Sequence, residues 1–134
     1  MYKSKRKINF YDCDPAGILF YAKIYELCHS AYEEMIQSFD LKEDYWSNED
    51  YIVPIIHSEA TYHKPFVYNS FAVIELAVES ISSSAFKLAY ACKNENGNLC
   101  VEVKTTHVFV DKKTWKKKQI KDDVRAGLFH HINK

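Results

Sequence analysis

The longest periodic pattern in the chain predicts one amphipathic helix. Between Ile18 and about Phe39, apolar residues recur at steps of three and four, which places them on one helical face. These residues are Phe20, Ile24, Leu27, Ala31 and Met35. Glu26, Glu33 and Glu34 lie off this stripe. We therefore predict a long helix over residues 18–39, with its apolar side buried.

Alternation of apolar and polar residues predicts strands on both sides of this helix. The predicted strands cover residues 3–10, 52–63, 70–81, 84–93 and 99–109, with a loop over 40–50 and a short helix over 122–131. Asn96-Gly97, inside the polar run 94–98, predicts a hairpin turn because this pair readily adopts positive φ. One early helix followed by consecutive strands predicts an α+β fold with an antiparallel sheet that covers the helix.

Length and charge restrict the class of protein. A chain of 134 residues fits a single domain, residues 1–134, without room for a second core of ordinary size. The balance of 18 basic and 18 acidic residues argues against a nucleic-acid partner, which usually requires a basic face. The local exception is a lysine cluster at positions 112, 113, 116, 117 and 118. A solvated turn is the favoured interpretation, and a contact for the phosphates of a nucleotide-like ligand is the alternative.

The cysteines and the N-terminus indicate a setting without disulfides. Cys13, Cys28, Cys92 and Cys100 have neither C-x-x-C spacing nor closely spaced histidines, so no metal site is expected. The N-terminus lacks the apolar region of a signal peptide, and no apolar run is long enough for a membrane span. We expect a soluble, cytoplasmic protein with free thiols.

An acidic turn, Asp12-Cys13-Asp14-Pro15-Ala16-Gly17, lies between the first strand and the predicted helix. A carboxylate beside a helix N-terminus is a plausible centre for acyl transfer or hydrolysis, because free backbone N–H groups there stabilise a developing negative charge. The structural alternative is that Asp14 is only an N-cap or turn residue.

The turn and two later stretches resemble the hotdog-fold acyl-CoA thioesterases of the 4-hydroxybenzoyl-CoA thioesterase family. The first motif is carried by Tyr11, Asp12, Asp14, Gly17, Ile18 and Phe20, the second by residues 54–70 and the third by residues 106–111. The resemblance implies an antiparallel sheet wrapped around one long central helix. It also implies thioester hydrolysis of an acyl-CoA without a cofactor, in a homodimer or homotetramer whose active sites lie at the subunit boundary.

The resemblance also assigns roles to residues of the turn. It makes Asp14 the catalytic carboxylate, which either attacks the thioester carbonyl or activates water, and it makes Asp12 part of the scaffold. Gly17 either permits an unusual backbone conformation or lets the thioester approach closely. Tyr21 matches the position whose backbone N–H faces the thioester oxygen, an interaction worth ~3 kcal/mol.

A finer resemblance concerns the acyl group. Pro54-x-x-His57, Cys28-His29 and Thr106-His107 are similar to the subgroup that hydrolyses 1,4-dihydroxy-2-naphthoyl-CoA. It implies an aromatic acyl group and a supporting role for His57 in the substrate pocket. The alternatives are a short or medium fatty acyl group, or a non-catalytic acyl-CoA-binding protein. Basic residues that some members carry after the third strand are replaced by serines 82–84, which leaves the coenzyme-phosphate contacts unassigned.

Two rival nucleophiles find little support. The chain has no G-x-S-x-G motif, and its serine run lies in a predicted hairpin turn. Cys13 is flanked by two carboxylates, which are expected to raise the pKa of its thiol and so oppose a nucleophilic role.

Overall fold

The computed structural model describes residues 1–133 and shows one long helix against a five-stranded antiparallel sheet. The elements in chain order are β1 (Tyr2–Ile8), α1 (Lys23–Gln37), β2 (Tyr51–Ile52), β3 (Ile55–Tyr62), β4 (Ser70–Ile81), β5 (Ala85–Lys93), β6 (Leu99–Val108), β7 (Val110–Asp111) and α2 (Asp122–Phe129). The main sheet has the order β1-β4-β5-β6-β3, and β2 pairs with β7 separately. The predicted α+β class with an antiparallel sheet is confirmed.

The core lies between α1 and the inner face of the sheet. The helix contacts β1, β4 and β6 through its apolar stripe, in which Ile24, Leu27, Ala31 and Met35 are buried. The predicted alternation of the central strands is also confirmed. The inward side chains are Ala72, Ile74, Leu76 and Val78 of β4 and Phe86, Leu88, Tyr90 and Cys92 of β5. Burial of this apolar surface is the main stabilising term of the fold.

The predicted start of the helix is wrong. Ile18 and Leu19 form backbone bridges instead: Ile18 pairs with Val67, Leu19 pairs with Cys13, and the Leu19 N–H donates to the Phe66 carbonyl at 2.8 Å. Phe20 is apolar and in phase with the helical stripe, but its N–H already donates to the Asp12 carbonyl. Phe20, which the pattern placed in the buried stripe, is consequently 44% exposed.

Other observed boundaries of strands and helices differ from the predicted ones by a few residues. The first strand ends at Ile8 because the chain enters a short 3₁₀ turn, Phe10–Asp12. The last long strand ends at Val108, although Phe109 beyond it is still fully buried. The C-terminal helix ends at Phe129, after which the chain runs beside Val78 of β4.

A buried polar cluster joins β6 to the helix. His107 is fully buried, with its ring stacked on Phe86 at 4.8 Å and 4.6 Å from the ring of Tyr32. Its Nε2 lies 2.7 Å from the Thr105 hydroxyl, in hydrogen-bond contact. Burial lowers the pKa of His107 to about 3, so the folded protein holds a neutral imidazole. The Tyr32 hydroxyl in turn contacts the Tyr45 hydroxyl at 2.5 Å and fixes the loop after α1.

The four cysteines are not in disulfides. Cys28 of α1 and Cys92 of β5 lie 3.7 Å apart at sulfur, and both are buried. Hydrogen bonding with the Cys92 thiol and burial both raise the pKa of Cys28, so neither reactivity nor metal binding is favoured there. Within residues 1–133, no helix is long and apolar enough to cross a membrane.

Candidate active site

The acidic turn is a closed loop with a half-buried carboxylate. The Gly17 N–H donates to the Asp14 carbonyl at 2.9 Å, and the Asp14 N–H donates to the Ile18 carbonyl at 2.9 Å. The Ala16 N–H donates to Asp14 Oδ1 at 2.9 Å, which orients the carboxylate and leaves Oδ2 available. Along the chain, residues 15–22 separate this carboxylate from α1, which begins only at Lys23.

Gly17 provides the conformation that closes this loop. Its φ is +80°, in the left-handed region that side chains disfavour. A Cβ built there would lie 3.5 Å from the Tyr68 ring, which is ordinary contact rather than a clash. Of the two roles expected for Gly17, the structure therefore favours backbone conformation over close approach within this chain.

The two aspartates of the turn have different environments. Asp12 is buried, its Oδ2 accepts the Asn9 N–H at 2.9 Å, and its carbonyl accepts the Phe20 N–H at 3.0 Å. Its Oδ1 also lies 3.9 Å from Lys23 Nζ. Asp12 therefore holds the ends of the loop together, while the carboxylate of Asp14 has a free oxygen for chemistry.

Asp14 lines a cavity of about 370 Å³. The other walls are residues 18–21, residues 62–66 and Val101 of β6. Most of these side chains are apolar or aromatic, with Asp14 as the one carboxylate. A largely apolar cavity with a few polar groups is typical of a small-molecule site.

Tyr21 lines the same cavity. Its carbonyl accepts a hydrogen bond from the Tyr62 hydroxyl at 2.6 Å, which ties residues 18–21 to the end of β3. The hydrogen bonds found among residues 1–133 include none from the Tyr21 N–H. Tyr21 therefore has an uncommitted donor of the kind that polarises a carbonyl.

His57 is not brought to Asp14 within one chain. It pairs with Thr106 on the face of the sheet away from α1, and its Nε2 lies 3.7 Å from the Glu59 carboxylate. Its side chain is exposed and does not line the cavity. Its neighbour Ser58, which pairs with the buried Thr105, occupies the helix-facing side instead. A role for His57 in the pocket stays a prediction that requires a second chain.

The lysine cluster lies outside the cavity and is partly neutralised. Lys118 Nζ contacts Asp50 at 2.5 Å, and Lys121 contacts the same carboxylate, so that both hydrogen bonds lower the pKa of Asp50. Lys112 Nζ donates to the Asn48 carbonyl at 2.7 Å. These contacts hold the loop that precedes β2 against the segment that follows β7. They support the structural interpretation of the cluster.

The rival nucleophiles stay unsupported. Burial, followed by the charges of Asp12 and Asp14, raises the pKa of Cys13, so the thiolate is disfavoured. The Ser82 hydroxyl donates to the Ala85 carbonyl in the turn between β4 and β5. Within residues 1–133, no group of three or more histidine, cysteine or carboxylate side chains is arranged to hold a metal ion.

Sequence reasoning missed the wall formed by the end of β3 and the turn that follows it. Tyr62, Lys64 and Phe66 line the cavity but belong to a segment distant in sequence from the acidic turn. The available signal was the second motif, residues 54–70, which contains this turn at Pro65. The backbone bridge between Ile18 and Val67, which brings both turns together, has no signature in the sequence.

Comparisons with known proteins agree with this geometry. A model of the thioesterase-like superfamily matches residues 8–128. A 1,4-dihydroxy-2-naphthoyl-CoA hydrolase of Crocosphaera subtropica is 30% identical over 112 residues, which cover 81% of each chain. Among solved structures, a 1,4-dihydroxy-2-naphthoyl-CoA thioesterase from Synechocystis has a TM-score of 0.89 at 22% identity, covering 96% of this chain and 95% of its own. A gentisyl-coenzyme A thioesterase has a TM-score of 0.82 at 17% identity, and the match covers 94% of this chain and 98% of that protein.

These similarities confirm the predicted hotdog fold. They extend over nearly the whole described chain and include both the acidic turn and the cavity walls. The chain therefore belongs to the thioesterase-like superfamily.

Proposed function

We propose that this protein hydrolyses the thioester of an aromatic acyl-CoA to a free acid and coenzyme A. The observation that carries the proposal is the half-buried Asp14 carboxylate, with one free oxygen, in an apolar cavity that is also lined by Tyr21, whose N–H has no hydrogen-bond partner among residues 1–133. A low-dielectric cavity strengthens the action of such a donor on the charge that develops at a thioester oxygen.

Two chemical routes fit this arrangement. In the first, Asp14 attacks the carbonyl carbon, the C–S bond breaks, coenzyme A leaves as thiolate, and water hydrolyses the resulting anhydride. In the second, Asp14 accepts a proton from a water molecule while the water oxygen attacks the carbonyl carbon. The C–S bond then breaks, and Asp14 passes the proton to the departing sulfur. In both routes the Tyr21 N–H donates to the carbonyl oxygen as it becomes negative.

The acyl group is proposed to be aromatic, of the hydroxybenzoyl or dihydroxynaphthoyl type. Phe20, Tyr21, Tyr62 and Phe66 supply an aromatic wall, and stacking of a flat ring on such side chains is favourable. Similar proteins that are named as a 1,4-dihydroxy-2-naphthoyl-CoA hydrolase and a gentisyl-coenzyme A thioesterase support an aromatic acyl group.

Thiol release from a panel of acyl-CoAs tests this function. We expect kcat/KM for 4-hydroxybenzoyl-CoA and 1,4-dihydroxy-2-naphthoyl-CoA to exceed that for butyryl- and hexanoyl-CoA. A preference of more than tenfold for the aliphatic substrates would make the protein a fatty acyl-CoA thioesterase. Binding of every thioester without release of thiol would make it a non-catalytic acyl-CoA-binding protein.

We also propose that the protein works as a homodimer, or as a tetramer of two dimers. β3 is an edge strand with one unpaired side, and Ile55 and Ile56 expose 44% and 65% of their surface there. An exposed apolar edge strand favours pairing with another strand. A second copy at this edge would also bring another His57 near the cavity wall formed by Tyr62.

The oligomeric state is expected to depend on this edge. Ile56→Lys should place a charge on the exposed strand and shift sedimentation towards monomer, whereas Lys87→Gln on β5 should leave assembly unchanged. A wild-type protein that sediments as a fully active monomer at assay concentration would contradict the proposed assembly.

A further inference from the structure

The segment after β3 carries a charged side chain to the edge of the cavity. The N–H groups of His63 and Lys64 both donate to the Cys100 carbonyl, at 2.7 and 3.1 Å. These two bonds fix the segment against the start of β6 just before Pro65. The backbone of Lys64 is therefore held in place, although its side chain is exposed.

Unlike His63 beside it, Lys64 has no internal partner for its charged group among residues 1–133. His63 Nε2 lies 2.8 Å from the Glu102 carboxylate, so its ring is already engaged. Across residues 1–133, no carboxylate lies within 4 Å of Lys64 Nζ. A side chain that both lines a cavity and is exposed to solvent lies at the mouth, where an uncommitted ammonium group can meet an anionic ligand.

The size of the cavity indicates which part of a substrate reaches Lys64. A volume of about 370 Å³ is smaller than a whole acyl-CoA, so part of the substrate must lie outside the cavity. With the thioester at Asp14, the phosphates are at the far end of the pantetheine arm and are therefore the part of the substrate expected beyond the mouth. The serine turn before β5 offers no cation there, and the lysines near β7 do not line the cavity.

We propose that Lys64 binds a phosphate of coenzyme A and so positions the acyl-CoA for attack at its thioester. This inference rests on the proposed function and identifies the residue that recognises the coenzyme. The charge of an ammonium group at this mouth attracts the phosphates and contributes a charge-assisted hydrogen bond. It is a contribution to substrate binding rather than to the chemical step, so it should affect KM more than kcat.

Substrates with and without phosphates test this role. Lys64→Gln is expected to lower kcat/KM for 4-hydroxybenzoyl-CoA about tenfold, mainly through KM, and to leave 4-hydroxybenzoyl-pantetheine unaffected. Lys64→Arg should retain most of the wild-type kcat/KM for 4-hydroxybenzoyl-CoA. The matched control is Lys87→Gln, which removes the same charge from an exposed position on the outer face of β5 and should change neither substrate.

Calorimetric titration with free coenzyme A separates this inference from the proposed hydrolysis. Weaker binding of coenzyme A to the Lys64→Gln variant, with wild-type binding in the Lys87→Gln variant, supports the assignment even if turnover is absent. Equal coenzyme A affinity in wild type and Lys64→Gln would overturn it. An equal loss of kcat/KM with the CoA and pantetheine thioesters would also overturn it, since the pantetheine substrate has no phosphate. Failure of the wild type to hydrolyse any thioester would refute the proposed function instead.

Discussion

Replacement of Asp14 by asparagine is expected to lower kcat by at least ~100-fold, the scale for loss of one general base or nucleophile. The amide oxygen of asparagine can still accept the Ala16 N–H that orients the native carboxylate at 2.9 Å. The loop should therefore keep its conformation, and both KM and the free energy of unfolding should change little. Steady-state thiol release together with urea unfolding measures these quantities on one preparation.

Asp12→Asn is the matched control for this prediction. Asp12 is buried and accepts the Asn9 N–H, so its replacement should cost ~1 kcal/mol of stability while affecting the rate less. If Asp12→Asn abolished turnover in a folded protein while Asp14→Asn left it near normal, the roles of the two aspartates would be reversed. If neither substitution lowered turnover, the acidic turn would have only a structural role.

Acid is expected to destabilise the fold through His107, with a loss of about 2 kcal/mol between pH 7 and pH 5. Its pKa is about 3 in the folded protein and about 6.5 in the unfolded chain. Below pH 6.5 the unfolded state binds a proton that the folded state does not, so stability is complete above pH 6.5 and falls towards pH 3. Burial, followed by the nearby charge of His29, lowers the pKa of His107 in the folded protein. Urea unfolding at several pH values measures the loss.

His107→Phe should remove most of this pH dependence. A phenyl ring can keep the stacking on Phe86, but it leaves the Thr105 hydroxyl without its 2.7 Å partner, so stability at pH 7 should fall by ~1 kcal/mol. His131, whose pKa burial also lowers, should contribute the remaining slope. His57→Gln, on an exposed face, should retain the full wild-type loss. A His107→Phe variant with an undiminished loss would show that His107 does not carry the effect.

The local periodicity of the sequence was sufficient to predict the core of this fold. Ile24, Leu27, Ala31 and Met35 are buried as the helical stripe required, and the inward residues of β4 and β5 follow the predicted alternation. Side-chain periodicity reports which face is buried, and both α1 and the sheet have one buried face. The fold class therefore followed from patterns within single elements.

The start of the helix could not be predicted in the same way. Phe20 continues the helical phase, but its N–H donates to the Asp12 carbonyl, and the nearby Ile18 bridges to Val67, far along the chain. Periodicity contains no information about such long-range backbone pairing. Propensity and pattern are local, and tertiary hydrogen bonds override them here.

The candidate site was predictable only in part for the same reason. The acidic turn and Gly17 were visible as a contiguous motif, and in the structure Asp12 and Asp14 make different hydrogen bonds, while their roles stay predictions. The opposite wall, with Tyr62 and Lys64, comes from the end of another strand. His57 does not line the cavity of its own chain, and its predicted role in the pocket would require a second chain, which no pattern within one chain can place.

The most direct test of the account is a single-turnover reaction of wild type and Asp14→Asn with 4-hydroxybenzoyl-CoA. Free 4-hydroxybenzoate and free coenzyme A would be quantified by mass spectrometry. We predict equal amounts of acid and coenzyme A from the wild type, and a rate at least ~100-fold lower from the variant with unchanged substrate binding. Recovery of intact thioester from a folded, substrate-bound wild type would contradict the proposed thioesterase activity of this cavity.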